Sequence, residues 1–179
     1  MKLVITGSPG SGKTVLAKKI SRLLNAELID LNKVALKRKF YSKQKGVREK
    51  LVNVDKLGKY LKKELLKKNS FVAEGHLACE FFIPSDAVLV LRAEPSVLKR
   101  RMNARKYPKK KIKENLLAEA LDYCLLKTES NYPKTKIVQI NFSKPFSAKI
   151  VLQRIQKGES DAVDFSNAVL DKKIFPKVP

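Results

Sequence analysis

The spacing of apolar residues changes several times along the chain, and each change marks an element. Leu3-Val4-Ile5 is a short apolar run with two β-branched residues, which predicts a strand. Leu16, Ile20, Leu23 and Leu24 then recur at helical spacing. Ala26 to Asp30 reads as a second short strand ending in an acid, and Asn32 to Lys39 as a basic helix. Tyr41 to Asn53 loses its period and reads as a mobile loop. Asp55 is placed to cap a helix that carries Leu57, Leu61 and Leu65 on one stripe. Ser70 to Glu74 predicts a third strand. Ala87 to Leu91 is uninterrupted and apolar, as a strand covered on both faces should be. Pro95 suits the first position of a helix that runs through Met102. Ile112, Leu116, Leu117, Ala120, Leu121, Cys124 and Leu125 predict one long helix. Lys136 to Ile140 predicts a fifth strand, and Phe146, Ile150, Val151 and Ile155 a last helix. From Gly158 onward no period is evident, and residues 158–179 are left unassigned.

Strands that alternate with helices predict an α/β fold with a parallel sheet and right-handed crossovers. Such folds bind ligands at the carboxyl ends of their strands. The positions to inspect are therefore Gly7 onward, Asp30, Glu74-Gly75-His76, Arg92, and Asn141 to Lys144.

The first of these ends carries a motif. Residues 7–14, Gly-Ser-Pro-Gly-Ser-Gly-Lys-Thr, fit G-x-x-x-x-G-K-[ST] at every fixed position, between a strand and a helix. Polyphosphate needs many donors at close range, and successive backbone N–H groups in a turn supply them. Gly7, Gly10 and Gly12 let the backbone curl inward around Ser11. The helix from Lys13 directs free N–H groups and its positive dipole end at the anion. Lys13 would reach the β- and γ-phosphates, and the Thr14 hydroxyl would ligate Mg²⁺. No N-K-x-D guanine reader occurs. A basic connector, Arg100 to Lys111, follows the fourth strand, where a positive lid would close over a polyphosphate.

Composition adds less. The 179 residues predict a single domain, and 44% hydrophobic residues suffice for a core. No apolar run has the length of a membrane span, and the N-terminus is already strand and phosphate loop. Cys79 and Cys124 have neither metal-like spacing nor a disulfide framework. A cytoplasmic location without membrane contact is the expectation. The formal charge of +22 favours an anionic partner beyond one nucleotide, such as a nucleic acid or ribonucleoprotein. The five tyrosines form no base-stacking array.

These residues together resemble the adenylate kinase isoenzyme 6 family, also called the coilin-interacting nuclear ATPase family, in its short archaeal-type form. The likeness spans residues 1–157. It rests on Gly7 to Thr14, on Glu74-Gly75-His76 followed by Phe81-Phe82, and on Leu91-Arg92. It rests also on Arg105-Lys106-Tyr107 with Lys111 and Asn115-Leu116, and on Ser143-Lys144-Pro145. The resemblance implies a P-loop NTPase of adenylate-kinase-like fold, a five-stranded parallel sheet with flanking helices. It implies a part that binds a nucleoside monophosphate (NMP), at about residues 30–53, and a lid at about 104–114. ATP contacts would fall on Gly7, Gly10, Ser11, Gly12, Lys13, Thr14, Val15, Arg105 and Lys144. Catalytic roles would fall on Lys13, Glu74, His76 and Arg105, and a metal role on Thr14 and Glu74. The implied activities are phosphoryl transfer from Mg²⁺-ATP to AMP and ATP hydrolysis. The implied setting is small ribosomal subunit maturation, with a ribosomal protein of the universal eleven family and pre-ribosomal RNA as partners.

The chain departs from the family at two places. Glu74 stands where the family usually has Asp, and Leu36 aligns with an arginine that commonly binds the acceptor phosphate, with Lys37 and Arg38 adjacent. Asp30 reads as a helix cap. His76, the one histidine, reads as a group that positions or deprotonates water. Two other readings compete. One is an assembly factor whose conformation is set by ATP. The other is a kinase for a different small acceptor such as shikimate, weakened because the glycine-rich turn after strand three is missing.

Overall fold

The computed structural model describes residues 1–43, 50–144, 146–172 and 174–175. In chain order the elements are β1 (Lys2–Gly7), α1 (Lys13–Leu23), β2 (Glu27–Asp30), α2 (Leu31–Lys37), β3 (Tyr41–Lys43), β4 (Lys50–Val52) and α3 (Val54–Leu66). They continue with β5 (Phe71–Glu74), β6 (Ala87–Arg92), α4 (Pro95–Ala104), α5 (Lys109–Ala120), α6 (Tyr123–Asn131), β7 (Lys136–Asn141) and α7 (Ala148–Lys157). Short 3₁₀ turns follow β5 at His76–Cys79 and lie in the tail at Ser166–Leu170.

Five strands form one parallel sheet in the order β2-β5-β1-β6-β7. This is the α/β P-loop architecture that the alternation predicts. Side chains alternate across each strand, so one strand feeds two cores. Leu3, Ile5, Val72, Leu89 and Leu91 pack with Leu16, Ala17 and Ile20 of α1 and Val151 and Ile155 of α7. Val4, Phe71, Ala73 and Val88 pack with Leu31 and Ala35 of α2 and with Leu57, Leu61 and Leu65 of α3. The central strands are thus covered on both faces, and every residue of β6 is buried.

Local details differ from the sequence expectations. Leu23 is exposed, because the buried face of α1 runs through Lys13, Leu16, Ala17 and Ile20 instead. Asn53 caps α3 by accepting from the Lys56 N–H at 2.9 Å, and Asp55 lies in the first turn, where it faces the dipole. Part of the predicted mobile loop is an antiparallel pair, with Tyr41 to Lys43 against Lys50 to Val52; its residues 44–49 lie outside the described residues. Phe146 precedes α7 and packs near Phe142, while Ser147 caps the helix and Ile150 is exposed.

The largest difference is the predicted helix from Ile112 to Leu125. It is two helices, broken at Asp122, which takes φ 56°. The guanidinium of Arg92 explains the break: it donates to the Glu119 carbonyl at 2.9 Å and to the Asp122 carboxylate, which terminates α5. Leu117 and Leu121 are consequently exposed, and α6 restarts with Cys124 inward.

The unassigned tail docks. Asp161 N–H donates to the Gln139 carbonyl at 3.0 Å, and its carboxylate accepts from Asn141 N–H at 2.8 Å and from Arg154 at 2.6 Å. These bonds cover the otherwise open edge of β7. Farther on, Ile174 and Phe175 pack against Leu98, Met102, Ile112 and Leu116, the contact surface of α4 and α5. No helix among the described residues is long and apolar enough to cross a membrane.

Candidate active site

The loop after β1 is shaped by backbone that side chains would obstruct. At Gly7, φ is 132° and an added Cβ would lie 2.2 Å from the Leu91 carbonyl oxygen on the neighbouring strand. At Gly12, φ is 109° and the Phe142 ring stands 3.0 Å from where a Cβ would be. Glycine at both places lets the loop turn directly into the first N–H groups of α1. The Ser11 hydroxyl is buried in this loop and has no hydrogen-bond partner among the described residues.

Lys13 folds over the loop. Its Nζ donates to the Gly7 carbonyl at 2.8 Å and to the Ser8 carbonyl at 2.9 Å. Burial lowers its pKa, opposed by the negative potential of Cys124, Glu74 and Glu119. One residue on, the Thr14 hydroxyl donates to Glu74 Oε1 at 2.9 Å. Glu74 ends β5 in register with Ile5 on one side and Asp30 on the other. Burial raises its pKa, the Thr14 hydrogen bond opposes that shift, and the charge on Asp30 adds to it. Asp30 itself caps α2, accepting from Asn32 N–H at 3.0 Å and Lys33 N–H at 3.1 Å.

These oxygens fit a hard divalent cation. A hydroxyl and a buried carboxylate whose proton affinity is raised stand in contact at the mouth of a phosphate loop. The described residues include no cluster of three or more carboxylate, histidine or cysteine ligands. Mg²⁺ is ordinarily held by one or two carboxylates plus substrate phosphates, and Glu74 with Thr14 offers one such carboxylate and a hydroxyl.

A cleft of about 850 Å³ opens above the loop. Gly10, Gly12, Lys13, Thr14, Val15, Glu74 and His76 form its floor. Arg105, Tyr107, Lys111 and Asn115, from the α4–α5 connection and the first turns of α5, form one wall. Asn32, Leu51, Val52, Val54 and Leu77 form the other. The structure therefore brings Lys13, Thr14, Glu74, His76 and Arg105 together. Gly7 and Ser11 support the loop from below. Lys144 is exposed on the connection after β7 and is not among the residues that line the cleft. Leu36 is exposed on α2, and Arg38 stacks on Tyr60 at 4.7 Å from the ring centre.

The imidazole of His76 faces two cations. Desolvation, then Lys13, then Lys111, lower its pKa to about 4. It is therefore neutral near pH 7 and free to accept a proton. Because it is the only histidine, its ring resonances are directly assignable. His76 is exposed at the cleft, and an NMR titration is expected to show a midpoint below the ordinary 6.5. Lys111→Ala should raise that midpoint, since one repelling charge is gone. A midpoint at 6.5 would mean that the ring is fully solvated and stands away from both lysines.

Sequence reasoning missed two groups. Arg101 was grouped with the basic connector, yet it clamps the loop. Its guanidinium donates to the carbonyls of Gly10 at 3.2 Å, Phe142 at 3.2 Å and Ser143 at 3.1 Å. Only its i, i+4 spacing from Arg105 on α4 could have pointed to it. Glu119, not singled out from the sequence, is 1% exposed. Its spacing from Ile112 and Leu116 places it on the buried stripe of α5; its cation, Arg92, is 27 residues distant and has no local signal.

Comparison with known proteins is consistent with this geometry. A family model described as an AAA domain matches residues 3–122. A Methanocaldococcus jannaschii protein described as "Putative adenylate kinase" is 29% identical over 177 residues, covering 96% of each chain. A Pyrococcus furiosus protein of the same description is 40% identical over 126 residues, which is 70% of this chain and 67% of that one. Another from Methanococcus maripaludis is 31% identical over 157 residues, 84% of each. Among solved structures, shikimate kinase from Bacteroides thetaiotaomicron superposes with TM-score 0.58 at 21% identity, over 87% of this chain and 96% of that one. A gluconokinase from Sinorhizobium meliloti gives 0.53 at 15%, over 97% and 95%. At such identities these two establish the fold alone. Loop, sheet order and relatives agree: the chain belongs to the AAA-domain P-loop family and, within it, to the archaeal group described as putative adenylate kinases.

Proposed function

We propose that the protein is a nucleoside monophosphate kinase that moves the γ-phosphoryl group of ATP to AMP. The observation that carries this reading is the two-walled cleft. A phosphate loop with Lys13, Thr14 and Glu74 lies on its floor, a cationic wall bears Arg105 and Lys111, and an opposite wall from Asn32, Leu51, Val52 and Val54 is left for an acceptor. A phosphate oxygen of AMP attacks the γ-phosphorus, the bond from that phosphorus to the β–γ bridging oxygen breaks, and both products are ADP. Such transfer needs positioning and electrostatic stabilisation rather than covalent help. Lys13 and Arg105 supply cations from floor and wall. Thr14 and Glu74 would hold Mg²⁺, which when bound neutralises charge on the phosphates.

In this reading residues 104–114 act as a lid and residues 30–53 carry the acceptor. Closing the lid excludes water, the competing acceptor. Hydrolysis of ATP is the corresponding side activity, with neutral His76 accepting the proton of the attacking water. The test is product analysis with Mg²⁺-ATP and each nucleoside monophosphate in turn. Fast diphosphate formation that requires AMP is expected. Phosphate release indifferent to every acceptor would contradict the kinase reading.

The +22 charge favours a second reading in which the same ATP site serves small-subunit assembly, with pre-ribosomal RNA and a ribosomal protein as partners. RNA binding that falls steeply with salt would support it, and negligible binding at low salt would contradict it.

A further inference from the structure

The P-loop and the helix behind the lid meet at one buried carboxylate. Glu119 lies two turns beyond Lys111 on α5, so it moves with the wall that carries the lid. Its Oε1 accepts from Arg92 Nε at 2.8 Å and from Ala93 N–H at 3.1 Å, which ties α5 to the end of β6. Its Oε2 accepts from the Ser8 hydroxyl at 2.5 Å. Ser8 in turn presents its carbonyl to the Lys13 ammonium at 2.9 Å. One chain of contacts therefore runs Arg92, Glu119, Ser8, Lys13. Ser8 is 2% exposed and Glu119 1%, so water does not replace either partner.

We propose that Glu119 is a positioning residue for ATP. By holding Ser8 it fixes the loop backbone that seats Lys13, and it couples that backbone to the lid helix. The arrangement follows from charge and geometry. A carboxylate in a dry site accepts strongly, and its Oε1 is paired with the Arg92 guanidinium. With its other oxygen satisfied by Arg92 and Ala93, Oε2 has one partner left, the serine of the loop. Fixing the serine hydroxyl fixes the direction of its carbonyl, and with it the position of Nζ.

The inference rests on ATP binding at this loop, and the experiment separates the two claims. ATP affinity is measured by calorimetry for the wild type, Ser8→Ala, Ser8→Thr, Glu119→Gln and the double variant Ser8→Ala/Glu119→Gln, beside KM for ATP, KM for AMP and melting temperature. If the wild type binds no ATP, the kinase reading itself fails. If it binds, Ser8→Ala is expected to weaken ATP about tenfold, as loss of a hydrogen bond to a charged group does. KM for AMP should hold within about twofold, and Ser8→Thr, which keeps the hydroxyl, should restore most of the affinity. Ser8→Ala leaves the Arg92–Glu119 pair intact, so its fold does not depend on the outcome. The double variant should bind ATP no more weakly than Ser8→Ala alone, because without the serine hydroxyl the side chain at position 119 has no hold on the loop. The proposal is overturned by unchanged ATP affinity in Ser8→Ala, by effects that multiply in the double variant, or by equal loss for ATP and AMP in step with melting temperature.

Discussion

Lys13→Ala lowers kcat/KM for ADP formation by about 10³-fold or more, the scale of losing one preorganised electrostatic donor at a phosphoryl-transfer centre. The melting temperature stays within a few degrees of the wild type. The two expectations come from the same geometry. Lys13 is 8% exposed, and its ammonium sits on two loop carbonyls, where burial lowers its pKa. Its charge is thus costly to the fold and useful to the anion. Removing it relieves the desolvation cost while it loses two hydrogen bonds, and these nearly offset. Lys13→Arg should not rescue activity, because a planar guanidinium does not reproduce a point charge on a flexible stem. A steady-state assay with a melt on the same sample checks both. Activity within tenfold of the wild type would remove Lys13 from the centre of the account.

Arg92→Met should unfold the protein more readily, by about 3–5 kcal/mol, the cost of breaking a buried ion pair from one side. For a chain of this size that is a fall in melting temperature of roughly 10–15 °C. Arg92 and Glu119 are each 1% exposed, so the surviving carboxylate has nowhere to be solvated. The same side chain bonds the Glu119 carbonyl, bonds Asp122 at the helix break, and stacks on Phe165 of the tail at 5.4 Å. Removing Glu119 as well, in Arg92→Met/Glu119→Leu, should recover part of the loss, since no bare charge is left. Full recovery is not expected, because Ser8 and the Ala93 N–H lose their acceptor. A single variant as stable as the wild type would show that the junction is incidental to folding.

What the sequence discloses follows from how local each signal is. The phosphate loop is contiguous and its glycines are dictated by backbone contacts, so Gly7 to Thr14 can be read directly. The five strands are legible for the same reason, each being a short apolar run between turns. Glu74 and His76 are legible as residues at a strand end, and Asp30 as a cap. The largest failures are non-local. The long helix breaks at Asp122, where a guanidinium from β6 bonds the Glu119 carbonyl and the Asp122 carboxylate. Leu117 and Leu121 then lose the burial that a single period assigns them. The partners of Glu119 and Arg101 lie 27 and 91 residues away, so their roles have no local signal. The tail has no period because it is fastened through Ser160, Asp161, Phe165, Ile174 and Phe175 one at a time, not through a helical stripe.

Among all these tests, the product balance in a reaction holding equal ATP and AMP bears most directly on the central claim. The account predicts two ADP for each ATP consumed, AMP falling in step with ATP, free phosphate forming far more slowly, and the whole conversion lost in Lys13→Ala. One ADP and one phosphate per ATP, with AMP untouched, would contradict it and leave an ATPase whose acceptor is water.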